Sequence, residues 1–457
     1  MYLTDYDFEP RVYPIVNTKY RTIQTKIPVP ESISFFERVE KYEPRSMHGA
    51  LPILWDKAEG FQLYDAWGNK WIDFTSTIFV ANAGHANSHI IDSIKQQLDK
   101  PLIHAYNYLT KIRTDYLEFL INSTPEQFQK AYLVSTGSEA TEAAIKLMRM
   151  YSKEKKSSKL GIICFEGSYH GRTMGAQMMS YSPNEKEWIG YHDPNIFHIP
   201  FPYPWDKKAN DNPKDFFHDS IKKLIGKHSL NPLTDLSSFM IESFQGWGSV
   251  FYPNEYLKAL EEFARENEML VCFDEMQAGF GRTGKLFGYM HYDIEPDLIC
   301  CGKGVSSGFP LGVVLGPKRI LDVPSVGSMS STNSANPLAC AAGLANLKVI
   351  IEENLIEQAE NLGNLFQQKL NDIKTRYEDY ISHILGKGLV AAVHFNRDSK
   401  PLVELANKIC IECMGRGLLV VRTGRESIKL GPPLCISEEA LLEGLDVLDK
   451  SISTIIE

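Results

Sequence analysis

Long hydrophobic runs, basic clusters and paired cysteines are all scarce in this 457-residue sequence. No stretch reaches the roughly 18 apolar residues that a membrane helix needs, so spanning is not expected. Lys and Arg number 48 against 57 Asp and Glu, a formal net charge of −9. A protein that neutralises phosphates needs the opposite balance, which excludes nucleic acid as the expected partner. The eight cysteines are dilute; Cys300 and Cys301 are adjacent, and Cys164, Cys272 and Cys340 sit in apolar segments where thiols behave as small hydrophobes. Cys410 and Cys413 form a CxxC with no second pair and no nearby His, which reads as a helix-face coincidence, and no metal site is expected. Met1 to Glu9 offers neither a positive leader nor an apolar stretch, so a cytosolic location is the default expectation. With 23% charged and 43% hydrophobic residues, disordered and collagenous classes are excluded. The length suggests two or three domains.

Residues 1–50 carry little periodicity, whereas Gly60 to Phe74 alternates apolar and polar around a Gly-Asn turn, a hairpin signal. Between 130 and 345, six apolar runs alternate with helical patterns: Ala131–Val134, Gly161–Phe165, Phe239–Ile241, Met269–Phe273, Leu298–Cys301 and Gly312–Leu315. Such alternation predicts an α/β fold with a mainly parallel, helix-covered sheet. The segment Ile196–Trp205, rich in Pro and aromatics, reads as a loop. After about residue 350 the pattern becomes long amphipathic helices with two or three short strands, and Leu441, Leu445, Leu448 and Ile452 form one stripe. The expected division is an N-terminal segment and hairpin (1–80), a large domain (81–350) and a smaller α+β domain (351–457) that the hairpin completes.

Ser135-Thr136-Gly137-Ser138-Glu139 follows an apolar strand and opens a helix. Its small residues leave backbone N–H groups at the positive helix end, which suits a phosphate, although a plain capped helix explains the same residues. Asp274 ends a buried strand, where ligands of open α/β sheets collect. Gly279, Gly281 and Gly284 spell GxGxxG, but Asp274–Ala278 separate them from the strand and no helical pattern follows, so a nicotinamide site is rejected. Lys303, between Gly302 and Gly304 at the end of an apolar strand, is placed for its ammonium to be desolvated and its amine to act as a nucleophile, although a surface lysine just past a strand explains the same residue. Taken together, a phosphate turn, a strand-end Asp, a strand-end Lys and the aromatic of Ser168-Tyr169-His170-Gly171-Arg172 are the parts that pyridoxal 5′-phosphate requires.

With those residues in view, the sequence from about 47 to the C-terminus resembles the class III aminotransferases of fold type I, the group containing 4-aminobutyrate and ornithine aminotransferases. The longest matching stretch is Asp274-Glu275-Met276-Gln277-Ala278-Gly279-Phe280-Gly281-Arg282-Thr283-Gly284, followed by Cys301–Gly304 and Thr332–Pro337. The resemblance implies a mainly parallel seven-stranded sheet with helices on both faces and a smaller α+β domain. It implies that Lys303 holds the cofactor aldehyde as a Schiff base and shuttles the Cα proton, that Asp274 pairs with the pyridine nitrogen, and that Gln277 meets the ring hydroxyl. Thr136, Gly137 and Ser138 would hold the phosphate, with Tyr169 on one ring face, Met276 on the other, and His170 and Glu242 beside them. Thr332 matches the residue that reaches the neighbouring subunit's phosphate, implying a homodimer with shared sites. Arg172 matches an Arg that binds a distal carboxylate.

Two departures bear on the substrate. Relatives using glutamate carry an Arg where this chain has Lys429, and a Glu where it has Trp247; Thr77 stands where Gly is common. Lacking the planar fork, Lys429 attracts a carboxylate only as a point charge. Trp247 either walls the pocket for a bulky or ring-shaped substrate, or packs behind it while Lys429 anchors the α-carboxylate. The expected activity is transfer of an amino group between a small-molecule donor and a carbonyl acceptor; the alternative is racemisation or epimerisation on the same fold. The expected substrate is larger than 4-aminobutyrate or ornithine, with glutamate at best a weak donor.

Overall fold

The computed structural model describes residues 8–457 apart from 48, 50 and 157; Met1 to Asp7, part of the leader reading, lie outside the described residues. Its centre is a seven-stranded sheet in the order Lys130–Val134, Gly312–Gly316, Leu298–Cys301, Leu270–Asp274, Leu236–Glu242, Gly161–Phe165 and Ile196–Ile199. Gly312–Gly316 runs antiparallel to both neighbours, and the remaining adjacent pairs are parallel. Strand residues alternate between two cores because successive side chains point to opposite faces. Val271, Phe273 and Ile299 enter one core, while Leu270, Cys272 and Cys300 enter the other with Ala140, Ala144 and Met148 of the helix Gly137–Lys155. Burial on both faces makes the inner strands read as unbroken apolar runs.

All six apolar runs are strands. The loop reading of Ile196–Trp205 is corrected at its first four residues, which form the sheet's edge strand Ile196–Ile199. Helix Ile33–Tyr42 lies in the stretch read as lacking periodicity; none of its residues is buried.

Residues 57–73 form an antiparallel meander, Lys57–Glu59, Gln62–Tyr64 and Lys70–Asp73. Leu418 pairs with Ile72 of that meander, tying it to the C-terminal part of the chain. There the strands Ile381–Lys387, Val390–Arg397, Ser427–Leu430 and Val421–Arg422 form an antiparallel sheet, packed by helices Leu355–Arg376, Val403–Gly415 and Glu438–Ile456. Leu441, Leu445, Leu448 and Ile452 are buried, as the stripe requires. Cys410 and Cys413 are both buried on the helix Val403–Gly415.

Candidate active site

Parallel strands that share a direction deliver their following loops to one edge, and the chemistry of this chain gathers at that edge. A cavity of about 180 Å³ is lined there by Thr136 to Ser138, Tyr169 to Gly171, Glu242 to Phe244, Asp274, Met276 to Ala278, and Lys303.

The helix Gly137–Lys155 begins with a reciprocal cap. Thr136 Oγ1 accepts from Glu139 N–H at 3.2 Å, and Glu139 Oε2 accepts from Ser135 N–H at 2.7 Å and Thr136 N–H at 3.2 Å. The cap satisfies donors on either side of Gly137 and Ser138 but not theirs, and no acceptor for those two N–H groups occurs among the described residues. The capped helix is therefore realised, and the Gly137 and Ser138 N–H groups at the dipole's positive end are left beside the cavity that both residues line. Met276 Sδ packs so closely that a Cβ on Gly137 would come within 2.7 Å of it.

Asp274, 4% exposed, accepts from Met276 N–H at 3.0 Å and from His170 Nδ1–H at 2.9 Å. His170 Nε2 is buried with no hydrogen-bond partner among the described residues. Glu242 accepts from Tyr169 N–H at 3.2 Å and Gly246 N–H at 3.1 Å. Burial pushes its carboxyl up to about 7; His170 opposes that rise and Asp274 adds to it. Lys303 has a left-handed φ of 44°. Burial lowers its ammonium pKa, with Asp274 and Glu242 pulling the other way, so a neutral amine is more accessible than in solution.

The other predicted residues lie outside the cavity lining. Lys429 is buried behind Gln277 and donates to its Oε1 at 2.5 Å. Trp247 donates from Nε1 to Gln245 Oε1 at 3.0 Å, stands 6.1 Å from the Tyr203 and Trp205 rings, and carries the Arg425 guanidinium 3.4 Å above its own ring. Arg172 lies 3.6 Å from Glu185 and 5.7 Å from the Tyr169 ring. Thr332 lines a separate concavity of about 600 Å³ with Ser135, Glu139 and Asn336. Thr77 sits in a left-handed turn. Within the GxGxxG segment Phe280, Gly281 and Gly284 have positive φ, and the short 3₁₀ turn Gly288–His291 follows in place of a helix at the third glycine, consistent with rejecting the dinucleotide reading.

Two residues escaped the sequence reading. Arg282, fully buried, donates to Leu389 O at 3.1 Å, Asn82 Oδ1 at 2.8 Å, Ser76 Oγ at 3.1 Å, and Pro432 O. Phe79 packs against the cavity residues Phe244 and Ala278. Arg282 lies within the longest matching motif, but nothing local marks its partners.

The Aminotransferase class-III family profile matches residues 44–452. A 4-aminobutyrate aminotransferase of Mycobacterium leprae is 32% identical over 94% of this chain and 97% of its own length. An alanine/serine racemase of Pyrococcus horikoshii is 30% identical over 98% and 96%. The crystal structure of the ornithine aminotransferase of Toxoplasma gondii superposes with a TM-score of 0.83 at 26% identity, covering 93% of this chain and 96% of that one. With its profile spanning nearly the whole sequence and its site residues gathered at one sheet edge, this chain belongs to the pyridoxal-phosphate-dependent class III aminotransferase family.

Proposed function

We propose that this enzyme moves an amino group from a small-molecule amine to an aldehyde or ketone at the cavity around Lys303. The observation that carries the reading is the convergence of Lys303, Asp274 and the two open N–H groups of Gly137 and Ser138 on one enclosed space. Pyridoxal phosphate, when bound, supplies an aldehyde for the amine and a ring that takes up the electron pair released at the substrate carbon. The Gly137 and Ser138 N–H groups, with Thr136, hold the phosphate. Asp274 keeps the proton on the ring nitrogen, and His170 orients Asp274 from behind. Tyr169 and Met276 would hold the ring, and Gln277 would donate to its hydroxyl. Lys303 would hold the aldehyde, and its amine would take and return the proton of the substrate carbon.

The second reading, racemisation, is favoured by the likeness to the racemase and needs the same residues. Net appearance of a keto product separates the two. The donor is an amino compound other than glutamate in this reading, because neither Trp247 nor Lys429 reproduces the carboxylate device of glutamate-using relatives. A cytosolic location belongs to the same reading, supported by eight free thiols. So does a homodimer: Thr332 lines a concavity beside the helix start rather than its own cavity, and sedimentation of a fully active 51.7 kDa species would refute it. Borohydride reduction and peptide mapping test the site itself; the pyridoxyl label is expected on Lys303, and a label elsewhere overturns the assignment.

A further inference from the structure

We propose that Lys429 is a positioning residue that fixes the Gln277 amide toward the cofactor, and is not the anchor for a substrate carboxylate. The inference rests on the reading of the cavity as a pyridoxal-phosphate site. Lys429 lies on the strand Ser427–Leu430 and is 4% exposed. Its ammonium donates to Gln277 Oε1 at 2.5 Å and to Gly246 O. The Phe79 ring covers it, with the centroid 4.4 Å from Nζ. An ammonium has three donors and no acceptor. Two are engaged by carbonyl oxygens and a ring face covers the group, so no open side remains to receive a carboxylate.

The same contact decides which way Gln277 points. With the Lys429 ammonium donating to it, the amide oxygen faces Lys429 and Nε2 faces away; burial lowers the Lys429 pKa to about 7, so this orientation belongs to the protonated form. Nε2 lies against Gly246, where an added Cβ would come within 2.2 Å of it, on the side of Glu242. Gln277 and Glu242 line the cavity while Lys429 does not. Lys429 thus acts through Gln277, presenting a donor rather than an acceptor to the ring hydroxyl. A corollary is that the position used for α-carboxylates in glutamate-using relatives is closed here, so an α-amino acid and the corresponding bare amine meet the same surroundings at this point.

A double-variant cycle read by cofactor affinity tests this without any substrate. Apo protein is titrated with pyridoxal phosphate by absorbance for wild type, Lys429→Met, Gln277→Ala and the double variant, with thermal unfolding as a folding control. Losing one oriented donor predicts about 10-fold weaker binding for Lys429→Met, close to the effect of Gln277→Ala. The double variant should be no weaker than Gln277→Ala alone, and Lys429→Gln, which keeps an N–H donor, should recover most of the loss. Unchanged affinity in Lys429→Met, or losses that multiply in the double variant, overturn the proposal. If Lys429→Met does not fold, Lys429→Arg enters the same cycle and its loss should likewise vanish on the Gln277→Ala background. A wild-type label on Lys303 combined with no coupling sinks this inference alone; a label elsewhere sinks the cavity reading first.

Discussion

Thr77→Gly is expected to stabilise the fold, the reverse of the usual glycine effect. Ser76, Thr77, Ile78 and Phe79 have φ of 45°, 53°, 61° and 66°, a continuous left-handed turn of residues that all bear a Cβ. At roughly 1–2 kcal/mol per residue, such a turn stores on the order of 4–8 kcal/mol. Its restraints are specific: Ser76 Oγ donates to Gly431 O at 2.6 Å, Arg282 donates to Ser76 Oγ at 3.1 Å, and the Phe79 ring occupies the space a Cβ on Gly431 would need. Thr77 is β-branched and so among the residues least suited to its φ of 53° and ψ of 49°. Glycine relieves about 1–2 kcal/mol there and costs about 0.5–1 kcal/mol in unfolded-chain freedom, a net gain of roughly 0.5–1 kcal/mol. Thr77→Ala keeps the Cβ and should gain nothing, so the difference between the two variants isolates the backbone contribution. Denaturant unfolding at fixed cofactor saturation measures it. A Thr77→Gly protein less stable than Thr77→Ala would refute the reasoning.

Asp274→Asn should fold, since the amide fills the same space and still accepts from Met276, yet lose about 100-fold or more in turnover, roughly 3 kcal/mol or more of barrier; near-normal turnover removes Asp274 from the mechanism. Arg282→Lys keeps the charge but not the fork that serves four acceptors, and should lower stability by about 2–4 kcal/mol in denaturant unfolding; a change below 0.5 kcal/mol would contradict the clamp. Glu242, pushed up to about 7, binds its proton more tightly folded than unfolded, so its contribution to stability is present below pH 4.5 and lost as pH rises through about 7. Glu242→Gln should therefore gain stability relative to wild type between pH 5 and pH 8, by up to about 3 kcal/mol; a pH-independent difference argues against a buried, shifted carboxyl.

The sequence alone determined most of the sheet's interior, because strands buried on both faces are largely apolar, as Gly161–Phe165 and Leu298–Cys301 are; Leu236–Glu242, buried throughout, departs from this with Ser237, Ser238 and Glu242. It also placed Asp274, Lys303 and Thr136–Ser138 at strand or helix ends, since that follows from a local change of pattern. Ile196–Ile199 escaped because an edge strand is half-buried at alternate positions and runs straight into a proline-rich stretch. What only the tertiary structure decided are contacts between distant residues. Arg282 meets Ser76 across 206 positions and Pro432 across 150, and Lys429 meets Gln277 across 152. No periodicity encodes such pairs. By its type and place Lys429 reads as a point charge for a carboxylate, and Trp247 as a pocket wall or as packing behind it; folding buries the first against an amide and stacks the second beneath Arg425. A residue's type and spacing set which chemistry it can do, while its partners, and hence its role, are set by whichever strands and loops the packed core brings against it.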